Sequence, residues 1–99
     1  MTTVDVIKAR VAAYFNVKLS WMESPRRWKS VSRPRQVAMY LVRRMLGLSF
    51  PAIGRAFGGR HHTTAMFAVR TLDKLVEKRG KTWRDVAAIE ATFVVVVQP

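Results

Sequence analysis

The chain contains no cysteine. That excludes disulfides and thiolate metal sites and fits a reducing compartment. It also has no acid between Glu23 and Asp73, an interval that holds ten cations: Arg26, Arg27, Lys29, Arg33, Arg35, Arg43, Arg44, Arg55, Arg60 and Arg70. No uninterrupted apolar segment is long enough to span a bilayer. The opening MTTVDVIKAR lacks the charged start and apolar run of a signal peptide. There is no GxxxxGK[ST] phosphate loop, and no nucleophile–base pair is suggested, so the expectation is a protein that is not an enzyme and carries no cofactor. No internal repeat is evident, and no low-complexity segment apart from the tail VVVVQP. Glycine is scarce, and four of the five present, Gly47, Gly58, Gly59 and Gly80, read as punctuation between helices.

What is present is a net charge of +12 on 99 residues that are 49% hydrophobic. The apolar content supports one folded domain over residues 1–99, with a core from about 4 to 93 and a tail at 94–99. A concentrated basic field points to a polyanion, nucleic acid before all others. A solvated basic face and a basic helix on anionic lipid are the rival readings.

Apolar spacing divides the chain into about six helices. Val4, Ile7, Val11 and Tyr14 set a first helix from about Thr3 to Phe15, ended by Asn16. LSWMES suggests a second, short one, capped by Ser20 and anchored by Leu19 and Met22. SPRRWKSVS reads as a basic loop, and Ser32-Arg33-Pro34 as the start of a third helix with Ser as cap and Pro in the first turn. Val37, Ala38, Tyr40, Leu41 and Met45 face inward along it as far as Leu46, and Gly47 ends it. Ser49 and Pro51 open a fourth helix to about Phe57; Gly54 inside it implies a close packing contact. After the Gly58-Gly59 turn a fifth helix runs from His61 to Arg79. Thr82-Trp83-Arg84-Asp85, similar to a capping box, opens a sixth.

The fifth helix begins with His61, His62, Thr63 and Thr64 after Arg60, with no acid nearby. Such side chains donate and accept at base edges, and a Thr methyl packs on the thymine methyl. The pattern of short helix, glycine turn and polar-fronted helix predicts a helix-turn-helix with its second helix in the major groove of double-stranded DNA. The alternative for the paired histidines is polar residues facing water. Metal binding is disfavoured, because adjacent helical residues point in different directions and no Cys or nearby acid completes a ligand set. Lys29, Arg35 and Arg60 are assigned to phosphates, together with backbone N–H groups near Phe50 and Ala52 at the start of the fourth helix.

GGRHHTTAMFAVR closely resembles GGRDHTTVLHAVRK, the signature of the C-terminal DNA-binding domain of the bacterial replication initiator DnaA. SVSRPRQVAMYLVRRMLGLSFPAIGRAFGG resembles the same domain's basic loop and helices. The resemblance runs from about Val4 to Phe93. It implies an all-α, Trp-repressor-like bundle that binds boxes such as TTATCCACA, with a free-standing, cytoplasmic and nucleoid-associated role in origin recognition, its regulation, or transcription. By that resemblance His62, Thr63 and Thr64 read the major groove and Arg33 enters an A·T-rich minor groove; a plain phosphate contact is the alternative for Arg33. The chain departs from the family twice. His61 stands where the signature has Asp, which shifts or relaxes the target, and Thr71 replaces a base-reading Lys. A different class of reading makes the chain an adaptor that binds a replication protein through Trp83 and the apolar tail.

Overall fold

The computed structural model describes residues 2–25 and 29–93, all of them helix, turn or loop. The order is α1 (Val4–Phe15), a 3-10 turn (Leu19–Met22), α2 (Lys29–Leu46), α3 (Phe50–Ala56), α4 (His62–Glu77) and α5 (Lys81–Ala91). Five α-helices and one 3-10 turn thus stand where about six helices were expected. Arg26, Arg27 and Trp28 of the basic loop, and the tail at 94–99, lie outside the described residues.

The core is built on α2, which packs against both α1 and α4. Having neighbours on both sides buries six consecutive residues, Val37 to Val42, where the sequence pattern implied a single stripe. Ile7 and Val11 of α1 close one side; Ala65, Ala68 and Leu72 of α4 close the other, with Ile53 and Phe57 between α3 and α4. Helix α5 adds Val86 and Ile89.

Local chemistry sets most of the ends. Thr3 caps α1 by accepting from the Val6 N–H at 3.2 Å, and Asn16 ends it in the left-handed region at φ 56°. Ser49 caps α3 by accepting from Ala52. Gly47, at φ 65°, closes α2 with a bond from its N–H to the Arg43 carbonyl.

Four expected ends are different. Helix α2 starts at Lys29, so Pro34 sits inside it and Ser32 is not its cap. Val31 is fully buried, and that contact holds the extra turn in place. The segment expected as a second helix is a 3-10 turn that starts after Lys18 with no side-chain cap; Met22 is buried, but Leu19 is half exposed. Helix α4 stops at Glu77, and the left-handed position after it is Arg79, not Gly80. Helix α5 begins at Lys81 with Gly80 as cap, and no capping box forms. Asp85 faces α1 instead, where it accepts from the Tyr14 hydroxyl at 2.7 Å and from Lys81 at 2.9 Å.

Candidate nucleic-acid interface

Helices α3 and α4 meet through a tight turn. A Cβ on Gly54 would overlap the carbonyl of Arg60, and the Arg60 N–H donates to the Gly54 carbonyl at 2.8 Å. The close contact expected at Gly54 is therefore the joint of the helix-turn-helix. Gly58 and Gly59 lie at φ 84° and 72°, a region L side chains avoid, and a Cβ on Gly58 would overlap the Glu23 carbonyl. The turn is thus pinned on one side to α3 and on the other to the segment after the 3-10 turn.

This joint presents His61, His62, Thr63 and Thr64 outward, all four exposed. His61 is the N-cap of α4: its ring Nδ1 accepts from the Thr63 N–H at 3.3 Å and lies 2.9 Å from the Thr63 hydroxyl. The two imidazoles stack, with centroids 4.2 Å apart and planes tilted by 35°. Beside this turn a groove of about 610 Å³ is lined by Thr63 and Thr64 from α4, Ser32 and Gln36 from α2, and Pro25. It continues into a second hollow bordered by Lys29, Arg33, Gln36, Phe67 and Thr71. The structure therefore brings Thr63, Thr64, Arg33 and Lys29 to one continuous surface. Arg33 lies in the second turn of α2, exposed, with its guanidinium on Gln36 Oε1 at 2.9 Å. It was expected in the first turn of that helix, which instead begins at Lys29.

The phosphate assignments fare differently. Arg35 is buried and donates to the carbonyls of Trp21, Met22 and Ser24. Burial, and after it the neighbouring charge of Arg60, lowers its pKa to about 10. It is a clasp on the segment after the 3-10 turn, and what little of it is accessible lines the groove beside Thr63 and Thr64. The reason is geometric: α2 starts a turn earlier than the sequence suggested, and residue 35 faces inward. Arg60 is half-buried and donates to the carbonyls of Phe57 and Ser24, so it too serves the joint. The Ala52 N–H is taken by Ser49 Oγ at 3.2 Å and is not free for a phosphate. Phe50 begins α3 with its ring under the Arg43 guanidinium, 4.5 Å from the centroid, away from the groove lining. Lys29 remains exposed in the first turn of α2.

The sequence matches the family described as bacterial DnaA protein helix-turn-helix over residues 4–72. The chain belongs to that family. DnaA relatives agree over most of its length. The chromosomal replication initiator protein DnaA of Anaplasma marginale is 45% identical over 86 residues, covering 87% of this chain and 18% of its own. That of Lactococcus lactis subsp. cremoris is 42% identical over 91 residues, covering 92% and 20%. The chain thus spans about a fifth of the length of the DnaA proteins it matches. A crystal structure described as a DNA replication initiation factor superposes with a TM-score of 0.78 at 35% identity, covering 90% of this chain and 27% of that one.

Sequence reasoning missed Phe67. It is the most exposed large apolar side chain described, at 66%, and it stands four residues after Thr63 between the two hollows. The signal was present, since the DnaA signature has His at that position. Ser32, read as a cap, and Gln36 also line the groove.

Proposed function

We propose that this DnaA-family chain binds double-stranded DNA sequence-specifically, at boxes of the DnaA type, in replication-origin recognition or its control. The opening of α4 enters the major groove, where His61, His62, Thr63 and Thr64 meet base edges. Arg33, on the N-terminal part of α2, enters the adjoining minor groove, where narrow A·T steps concentrate negative potential. Lys29 and the first-turn amide of Phe50 contact phosphate, the amide because helical N–H groups there lack intrahelical partners. The observation that carries this reading is one surface, lined by no acid, that joins Thr63 and Thr64 at a helix start to Arg33 and Lys29, with His61 and His62 exposed beside it.

A gel shift with a TTATCCACA duplex against a scrambled duplex tests it. Wild type should prefer the box. Thr64→Ala and Arg33→Ala should each weaken box binding by about tenfold or more, since a good base contact is worth roughly 1–3 kcal/mol. Equal affinity for both duplexes ends the specific reading. The adaptor alternative rests on residues 94–99, outside the described residues, and on Trp83, which is only partly exposed and lies 5.8 Å from the Arg79 guanidinium.

A further inference from the structure

Residue 61 works in two directions. Inward, it caps α4. The Thr63 N–H belongs to the first turn, where no helical carbonyl is available, and it donates to His61 Nδ1 at 3.3 Å. The neighbouring Thr64 N–H is served by the His61 carbonyl at 3.0 Å. A protonated ring nitrogen cannot accept, so Nδ1 is bare and the neutral ring carries its proton on Nε2. The Thr63 hydroxyl, 2.9 Å from that bare nitrogen, then donates to it as well, which leaves the hydroxyl's lone pairs outward. The His62 ring stacked at 4.2 Å limits rotation of the imidazole.

We infer that the helix cap locks His61 as its Nε2–H tautomer and so makes residue 61 a hydrogen-bond donor to the base it faces, favouring an acceptor edge, which guanine presents twice, over the donor edge of cytosine. An aspartate at an N-cap does the same inward job, because one oxygen accepts from the first-turn amide. Its outward atom, though, is a second acceptor, and it suits the N4 amino group of cytosine. His61 keeps the cap and reverses the polarity of the outward atom. Guanine offers acceptors at both N7 and O6, and cytosine offers a donor. The exchange of Asp for His is therefore a defined change in the base read at one position, with Thr63 beside it held as an acceptor. This inference rests on the DNA-reading proposal above, and the test separates the two.

Binding sites are selected from a random duplex pool by wild type and by His61→Asp in parallel. The two consensus sites should agree except at one base pair, where the variant takes C and wild type takes a base with an acceptor edge, guanine foremost. Competition between duplexes differing only there should then show about a tenfold preference in each direction. The same base at every position for both proteins overturns the inference and leaves specific binding standing. No consensus from either protein overturns both. A readout independent of DNA is the long-range 1H–15N correlation of the His61 ring in the free protein. It should show Nε2 protonated and Nδ1 bare; the opposite tautomer sinks the inference even if the selection shifts.

Discussion

Asp85 shows how one carboxylate can tie two helices that no periodicity or motif links. It is almost buried on α5, yet Tyr14 of α1 donates to one oxygen and Lys81 to the other. Burial by itself raises its pKa; the hydrogen bonds from Lys81 and Tyr14, aided by the charges of Lys81 and Arg84, outweigh that and hold it below 3.8. The same bond raises the pKa of Tyr14. A carboxylate depressed in the folded state contributes stability that is complete above its unfolded value and is lost as pH falls through the folded one. Tyr14→Phe should therefore cost about 1 kcal/mol near neutral pH, the usual worth of a hydrogen bond. The difference in melting temperature between the two proteins should shrink as the pH drops below about 3.8. A pH-independent difference would mean that Tyr14 acts through packing alone. Arg35 presents the opposite case, a buried cation held by carbonyls. Arg35→Met should remove one donor from each of those carbonyls, of which Trp21 and Ser24 keep another in the Ser24 N–H and Arg60, at about 1–3 kcal/mol for a buried carbonyl left orphaned, read as a lower denaturation midpoint.

The helix-turn-helix depends on backbones approaching closely. At Gly54, helix propensity favours alanine by about 1 kcal/mol. The overlap with the Arg60 carbonyl works against it, and overpacking of this kind costs typically 1–3 kcal/mol. The overlap is with backbone, which cannot swing aside, so Gly54→Ala should destabilise. Gly59→Ala meets no atom within 4 Å and should show only the left-handed backbone penalty of about 1–2 kcal/mol. Thermal melts should rank Gly58→Ala, with both a positive φ and an overlap, as the most damaging of the three. This joint was legible in the sequence because its determinants are local: two glycines for the turn, Ser49 for the cap, and a third glycine where bulk was expected. Asn16 and Gly47 were legible for the same reason. The first turn of α2 was not, because Ser32-Arg33-Pro34 carries good starting signals that burial of Val31 overrides. The opening of α5 was missed likewise, since Asp85 has a better partner in Tyr14 than in its own helix. The exposure of the turn that opens α4 was readable from its polarity. The inward turn of Arg35 depends on contacts with residues 21–24, which no periodicity reveals.

Over the whole molecule, the basic field is thinner than its sequence count. Of the cations between Glu23 and Asp73, Arg35 and Arg60 serve the joint, and Arg43 donates to the Leu48 carbonyl at 2.7 Å beside Phe50. Arg44 pairs with Glu90 at 3.3 Å and donates to the Tyr40 hydroxyl, contacts that raise its pKa. Lys29, Arg33, Arg55 and Arg70 remain exposed among the described residues. Engagement of these four together with Arg26 and Arg27, which lie outside the described residues, would give a log–log salt slope of about −5. Engagement of all ten would give about −9. A titration of box affinity against salt separates the two, and single substitutions sharpen it. Lys29→Ala removes a phosphate contact and should flatten the slope by about 0.9 while weakening every duplex alike. Arg35→Met should leave the slope unchanged in protein that is still folded, because residue 35 meets carbonyls, not phosphates. A slope near −9, or one that flattens with Arg35→Met, would return the buried guanidinium to the DNA surface and undo the division drawn between cations that build the joint and cations that meet the duplex.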